Sequence, residues 1–525
     1  MNQSRLTGLS GDLAEKSPAP IQPLDFIIAY LGLLAGEGGK TVYKRIVCLL
    51  AAAVFFMTGL KASAGYYYDR RGRSVAAPDT YVAGGLLDGN TLGIGSFDAI
   101  GDLYVDGEEA LYIADTGNDR VVVLSADDTV RRVVETVETD EGPVPLNAPE
   151  GVFYHNGLLY ICNTGGGEVL AVDADNRVVR RLGKPESASL SEEAVFKPSK
   201  VAVNASGAVF VAASGIYLGL LQYGTDDVFA NFFGAAKVEV TPDVVLAAMW
   251  KSLFTDAQRE SLKREISTEY ANLFIDSEDF VFTVTSTVNE KQVSRLNAAG
   301  ENILKYPGYD DASLFTSGYN RNNFGDQEFD YSKGYKIVSQ LTDLHVDAEG
   351  ILTVLDSRRG KVLQFDSELN PIGVFGGTGD QRGFFRGAAA LEKQGEAYLI
   401  ADGDKNTITR MVPTGYIRTV REALAGYRQG EYARSEELWN EVLASNPHFT
   451  VAYRSIGRAL LADGDCRAAM EYLREGDDRY YYSLALQEYR RDFIRNNLLW
   501  LLPAMLAVLA GLVVGWRRLK RWLQS

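Results

Sequence analysis

Between Phe97 and Met411 the apolar residues fall in short alternating runs separated by Asp, Gly and Asn, and the same phrase returns six times. In the clearest copy, Leu103 to Leu124, the run Leu111-Tyr112-Ile113-Ala114 enters Asp115-Thr116-Gly117-Asn118 and leaves through Val121 to Leu124. Apolar alternation with a period of two on both sides of a polar turn predicts a β-hairpin. The phrase returns at Gly151 to Val172, at Val201 to Tyr223, from Ala271 onward, at Leu344 to Phe365, and in AYLIADGDKNTITRM, which ends at Met411. One turn position from each copy gives Asp115, Asn163, Ala213, Thr285, Asp356 and Asp402, spaced by 48, 50, 72, 71 and 46 residues. Three of these intervals fit the roughly 40 to 50 residues of a four-stranded propeller blade, and the two long ones mark insertions. Six copies predict a mainly β chain, a six-bladed β-propeller over residues 65–419. At its turns Asp115 and Asn118 are expected to close local hydrogen bonds rather than to catalyse.

The insertions fall at 234–268 and 305–335. In the first, Pro242 to Glu265 has helical periodicity, with Thr255-Asp256 as a helix start. The second places Tyr306, Tyr309, Phe315, Tyr319, Phe324, Phe329, Tyr331 and Tyr335 among Gly, Asn and Asp. Aromatic faces beside amides and carboxylates suit a polar ring-shaped ligand such as an oligosaccharide, with Tyr306, Tyr309, Tyr319, Phe324, Tyr331 and Tyr335 as candidate contacts. The competing reading is a long loop packed on the propeller by its own aromatics.

After Thr419 the pattern becomes helical. Gly430, Tyr432, Trp439 and Pro447, then Tyr453, Ile456, Gly457, Leu460, Ala469 and Leu473, stand where two successive 34-residue helical hairpins need large and small packing residues. Residues 420–483 thereby resemble two tetratricopeptide repeats, although Ser435 occupies a position where Ala is usual. So short an array needs a cap from the propeller, from a juxtamembrane helix over 484–497, or from a protein partner. It reads as a rigid spacer or as a peptide-binding groove.

Leu498 to Trp516 is a 19-residue stretch without a charge, long enough at about 1.5 Å per residue to cross a hydrocarbon core of about 30 Å. Trp500 and Trp516 mark its interfaces, and the tail 517–525 carries Arg517, Arg518, Lys520 and Arg521, which the positive-inside rule assigns to the cytoplasm. Gly511 and Gly515 have the spacing of a close-packing helix motif. At the other end Lys44-Arg45, an apolar run from Ile46 to Leu60 and Ala62-Ser63-Ala64 make a signal-peptide pattern over 42–64, with an uncleaved anchor as the alternative. Residues 1–41 read either as a leader or as an over-extended start ahead of Val42. Together the ends predict a single-pass protein of the cell membrane, its N-terminal domains extracytoplasmic.

A net charge of −16 and a pI near 4.9 deny the chain the basic field that selects nucleic acid. Cys48, Cys162 and Cys466 are too few and too scattered for a disulfide framework or a zinc site. His155, His345 and His448 have no metal-ligand spacing. The motifs of serine-hydrolase elbows, P-loops and zinc proteases are absent from the sequence.

Tyr112 to Val121, with the phrases Phe375-Gly376-Gly377 and Gly383-Phe384-Phe385, closely resembles the NHL repeat. The layout of signal peptide, NHL-type propeller, two tetratricopeptide-like repeats and one C-terminal span resembles bacterial membrane-anchored NHL proteins. That resemblance implies a binding or scaffold protein accessory to carbohydrate uptake. A more distant resemblance, to gluconolactonase-like six-bladed propellers, implies a divalent-metal-dependent hydrolase, for which Glu150, Asn163 and Asp402 are the candidate ligands. Calcium is the cofactor such a site would take, and the loop Asp402-Gly403-Asp404-Lys405-Asn406 has part of a calcium-loop pattern but lacks its later glutamate.

Overall fold

A computed structural model describes residues 65–68, 74–187, 189–190, 193–234, 269–285, 292–304, 324, 329–330, 335–336 and 339–524. The expected leader and signal segment and the helical reading of 242–265 lie outside them. The described residues form the expected six-bladed propeller followed by helices. Blade one runs Ile100–Val105, Leu111–Asp115, Arg120–Leu124 and Val130–Val134, each strand antiparallel to the last. Blade two begins at Pro149–His155 and blade three at Lys197–Val203, each with four strands. Blade four, opening with Asn272–Ile275, has three among the described residues. Blade five opens with Leu341–Val346 and gains two strands outside its fourth, Tyr66–Tyr68 and Ser74–Ala76. Blade six opens with Ala388–Gln394, and its fourth strand is the N-terminal Tyr81–Leu87, laid antiparallel on Thr407–Pro413. The beginning of the propeller thus closes the ring onto its end, which removes two exposed sheet edges.

The alternation read from the sequence is the packing pattern between blades. Tyr112, Ala114, Val121 and Val123 of blade one face Val152, Leu159, Ile161 and Leu170 of blade two in one core. The turn positions found by alignment form a repeated clasp. Asp115 Oδ1 accepts the Asp98 N–H at 2.7 Å, Asn163 Oδ1 the Asn147 N–H at 2.7 Å, Asp356 Oδ1 the Gln340 N–H at 3.2 Å, and Asp402 Oδ2 the Arg386 N–H at 2.9 Å. In each case a buried turn residue holds the loop that enters its own blade. Blades one and five add an arginine, Arg120 at 2.6 Å from Asp115 and Arg359 at 3.1 Å from Asp356. At the turn itself Asp119 (φ 52°) and Gly167 (φ 70°) take the left-handed conformation at equivalent places, a geometry that Gly and short polar residues tolerate.

Five helices follow: α1 (Gly415–Gln429), α2 (Tyr432–Ser445), α3 (Thr450–Ala462), α4 (Cys466–Glu475) and α5 (Arg479–Gln524). The first begins five residues before the boundary suggested by the pattern, because Thr414 ends the blade-six strand by bonding back to Thr80. Gly457 leaves the space that Leu473 fills, since a Cβ there would lie 2.7 Å from Leu473 Cγ. The helices are not a detached spacer. Trp439, Phe449, Ala452 and Ile456 share one core with Tyr67, Tyr81, Phe375 and Tyr398 of the propeller. Around this core Arg421 bonds Asp347 at 2.9 Å and also Glu349, while Arg458 bonds Glu368 at 2.8 Å and Asp478 at 2.8 Å. Buried Arg454 donates to the Gly476 carbonyl at 2.9 Å and to Asn370. Asp347, Glu349, Glu368 and Asn370, which these arginines meet on the propeller, lie on two turns of blade five. α5 is one continuous helix of 46 residues, so the segments 484–497 and 498–516, separated in the sequence reading, join without a break through Pro503.

Replacing Asp115 by Ala removes the acceptor of the Asp98 N–H and strands Arg120 in a buried site, which costs about 3 kcal/mol or more in urea unfolding. Asp115→Asn, the residue blade two uses at this position, keeps the clasp and costs less. Equal losses for the two variants would disprove the clasp.

Candidate functional site

A propeller brings its six inner strands together at one axis, and register decides which side chains they place there. In five blades the inner strand carries a bulge directly after the residue paired with the turn position. The next paired residues are Asp102, Gly151, Lys200, Asp343 and Ala390, and Asn272 occupies the same register in blade four opposite Val284. Two residues on, with the same facing, stand Tyr104, Phe153, Ala202, Phe274, His345 and Glu392. Most of these twelve positions line an axial cavity of about 270 Å³.

The first layer is polar and buried. Lys200 reaches across the axis to Asp102, Nζ to Oδ1 at 2.5 Å, and also donates to the Gly101 carbonyl at 3.2 Å. Blade two contributes only Gly151 to this layer, where a Cβ would lie 3.0 Å from the Lys200 backbone and 2.4 Å from the Ser199 carbonyl oxygen. Asp102 Oδ2 accepts the Val152 N–H of the next blade at 3.0 Å. Asp343 repeats the device: Oδ2 accepts the Leu391 N–H of blade six at 2.7 Å, and Oδ1 accepts from Asn272 and from the Leu344 N–H. In both places the receiving blade offers a small residue, Gly151 or Ala390, just before the donated N–H.

Burial raises the pKa of Asp102, with Lys200 opposing. Burial likewise pushes Asp343 up to about 8; Lys200 and the Leu391 N–H oppose the shift, and the Asp102 and Glu392 carboxylates add to it. Burial works to lower Lys200, yet Asp102 and Asp343 outweigh it and hold the ammonium above its usual value. The layer therefore holds one firmly charged ammonium paired with Asp102, beside a carboxyl that keeps its proton into neutral pH.

The second layer is aromatic and acidic. Tyr104 lies against Phe153 with ring centroids 4.5 Å apart, and Phe274 against His345 at 4.8 Å. Glu392 Oε1 accepts the Lys393 N–H at 2.8 Å and stands 2.6 Å from His345 Nδ1, in an orientation that is not an aligned hydrogen bond. Burial, then Glu392 and Asp106, push the Tyr104 hydroxyl far above its ordinary pKa. Beyond this layer the cavity reaches the exposed Glu109 and Gly395, on the turns between first and second strands. Its mouth opens on the side where Asp347 binds both Lys393, at 3.1 Å, and Arg421 of α1.

The residues predicted from the sequence lie elsewhere. Asn163 and Asp402 are buried in turn clasps, their oxygens engaged by backbone N–H groups. Glu150, half-buried at the start of its strand, has its pKa raised by burial against Lys200 and Lys197. Among the described residues no group of three or more His, Cys, Asp or Glu could hold a metal ion. Phe324 was expected to offer a ligand face and is buried, edge to face on Phe365 at 5.3 Å. Tyr335 is described for its backbone alone, paired with Asp330, and Tyr306, Tyr309, Tyr319 and Tyr331 lie outside the described residues. What the turn alignment missed is Asp102, Lys200, Asn272, Asp343 and Glu392. Their signal is a polar residue set in an apolar run at one register, as in IGDLYV, PSKVAV, YANLFI and LTDLHV.

No protein-family model matches the chain, and no curated protein matches its sequence. Among solved structures it is similar to virginiamycin B lyase from Staphylococcus aureus, at 10% identity over 61% of this chain and 97% of that one, with a TM-score of 0.37. It is similar also to Kuenenia stuttgartiensis hydrazine synthase, at 12% identity over 61% of this chain and 97% of that one, TM-score 0.37. A third is a protein of unknown function from Bacteroides thetaiotaomicron, at 12% identity over 66% of this chain and 76% of that one, TM-score 0.38.

A carboxyl whose pKa is higher in the folded than in the unfolded chain stabilises the fold fully below the unfolded value, about 4, and the contribution fades as pH rises through the folded value. For Asp343 that window runs from about pH 4 to about 8. Melting temperatures of the wild type are expected to fall across it, and Asp343→Asn to flatten that part of the slope. An unchanged slope in the variant would show that Asp343 is ionised throughout.

Proposed function

We propose that the chain is a membrane-anchored extracytoplasmic binding protein whose ligand site is the axial cavity, serving as an accessory to carbohydrate uptake. The observation that carries the reading is the coupling of that cavity to an anchor. The helices that share a core with blades five and six run on into α5, the one described helix long and apolar enough to cross a membrane. Arg517, Arg518, Lys520 and Arg521 behind the apolar stretch support a cytoplasmic tail and an outward propeller. A cavity with aromatic walls and a few polar groups is the usual form of a small-molecule site. The carbohydrate role rests on the resemblance of the layout to membrane-anchored NHL proteins and on the aromatic insertion at 305–335. The face of α1 to α4 turned away from the propeller, with Tyr432 exposed, is the proposed surface for a protein partner. The metal-dependent hydrolase reading gains no support, since Asn163 and Asp402 are committed to their turns.

Two measurements test this reading. The full chain is expected to pellet with membranes and to resist alkaline carbonate, whereas a chain ending at Asn497 is expected in the soluble fraction. A ligand that binds only the folded state raises the midpoint of thermal unfolding, by about 2.7 kcal/mol of stabilisation at a hundredfold excess over Kd. A saturable rise with an oligosaccharide, abolished by Phe274→Ala, is the expected result. A full chain recovered in the soluble fraction would remove the anchor from the proposal.

A further inference from the structure

The charges around the axial cavity do not cancel. Lys200 is paired with Asp102, and Lys393 with Asp347, so both ammonium groups on the lining face a carboxylate other than Glu392. Glu392 is buried, and its Oε1 meets the Lys393 N–H and the His345 ring, while no described residue donates to Oε2. Asp106 and Glu109 add two more acids toward the mouth. The aromatic rings stand in the second layer with Glu392: Tyr104 and Phe153 on adjacent blades one and two, and Phe274 on blade four beside His345. A ring face carries negative electrostatic potential and attracts a cation, most strongly where water is excluded. Three rings and an underused carboxylate in a space of about 270 Å³ make a box for one compact positive charge.

We infer that the axial cavity binds a small ligand through an ammonium group, held by Glu392 and by the faces of Tyr104, Phe153 and Phe274. This deepens the proposed function and rests on its reading of the cavity as the ligand site. Two sources offer that chemistry, a simple alkylammonium and an amino sugar. The polar groups at the mouth suit the hydroxyls of the second, and the aromatic walls suit either.

The test uses matched pairs on the full chain in detergent, read by calorimetry and by the shift of the unfolding midpoint. Choline is compared with its uncharged isostere 3,3-dimethylbutanol, and glucosamine at a pH where its amine is protonated with glucose. The expected result is binding of at least one charged member at least tenfold tighter than its neutral partner, a preference that Glu392→Gln reduces tenfold or more. Tight choline alone identifies an alkylammonium site, and tight glucosamine an amino-sugar site. Equal binding of a charged member and its neutral partner, lost in Phe274→Leu, would overturn the ammonium inference and leave the cavity as a ligand site. No binding by any of the four to the folded wild type would overturn both the inference and the reading of the cavity beneath it. The comparison of pairs on the wild type needs no variant to fold.

Discussion

The inner strands of a closed propeller present edges that no neighbouring strand can pair, and a buried N–H without an acceptor is costly. Here two carboxylates supply acceptors from the neighbouring blade: Asp102 for Val152 and Asp343 for Leu391. Much else at the axis follows from that need. Two buried carboxylates require a counter-charge, which Lys200 provides, and Gly151 lets the backbone of the Lys200 strand come close. Asp343 lies buried in the same layer, and burial first, with the Asp102 carboxylate adding to it, pushes its pKa up to about 8. The same layer supplies the polar part of the cavity lining.

The clasps at the blade turns solve the same problem at another radius. Asp115, Asn163, Asp356 and Asp402 each accept an N–H from the loop that leads into their own blade. Clasp and axial carboxylate differ in reach: one fastens a blade to its own entry loop, the other fastens a blade to the next. Blades three and four, with Ala213 and Thr285 at the turn, adjoin the insertions that lengthen the repeat. In blade three the Gly215 N–H is taken instead by Glu269 from the entry to blade four, at 2.9 Å.

The sequence made the blades legible because hairpin alternation has a period of two and each turn repeats near-identical chemistry. It also located the helical segment and the apolar span, whose periodicities differ from those of a sheet. The axial site was not legible by the same route. Its residues share a register but not a chemistry: Asp102, Gly151, Lys200, Asn272, Asp343 and Ala390 have no common type, so an alignment by similarity passes over them. Their pairing joins residues up to 98 positions apart, as between Asp102 and Lys200, and only ring closure brings those together. The turn residues Asn163 and Asp402 misled for the converse reason, because repetition there reflects folding rather than chemistry. That the short helical array needs a cap, from the propeller among others, was legible, but not the residues that make it: Arg421, Arg454 and Arg458 read as ordinary surface charges until blade five places turns opposite them.

The uninterrupted helix α5 fixes a distance. Ala485 is its last fully buried residue, and Leu498 begins its apolar stretch, so the twelve residues between span about 18 Å of helix. With the apolar stretch in a bilayer, that rod sets a fixed gap between the lipid surface and the rest of the molecule, which its rigid seam with the helices would not let collapse. Such a gap acts as a gauge. It would admit between the lipid and the packed helices only what fits that spacing.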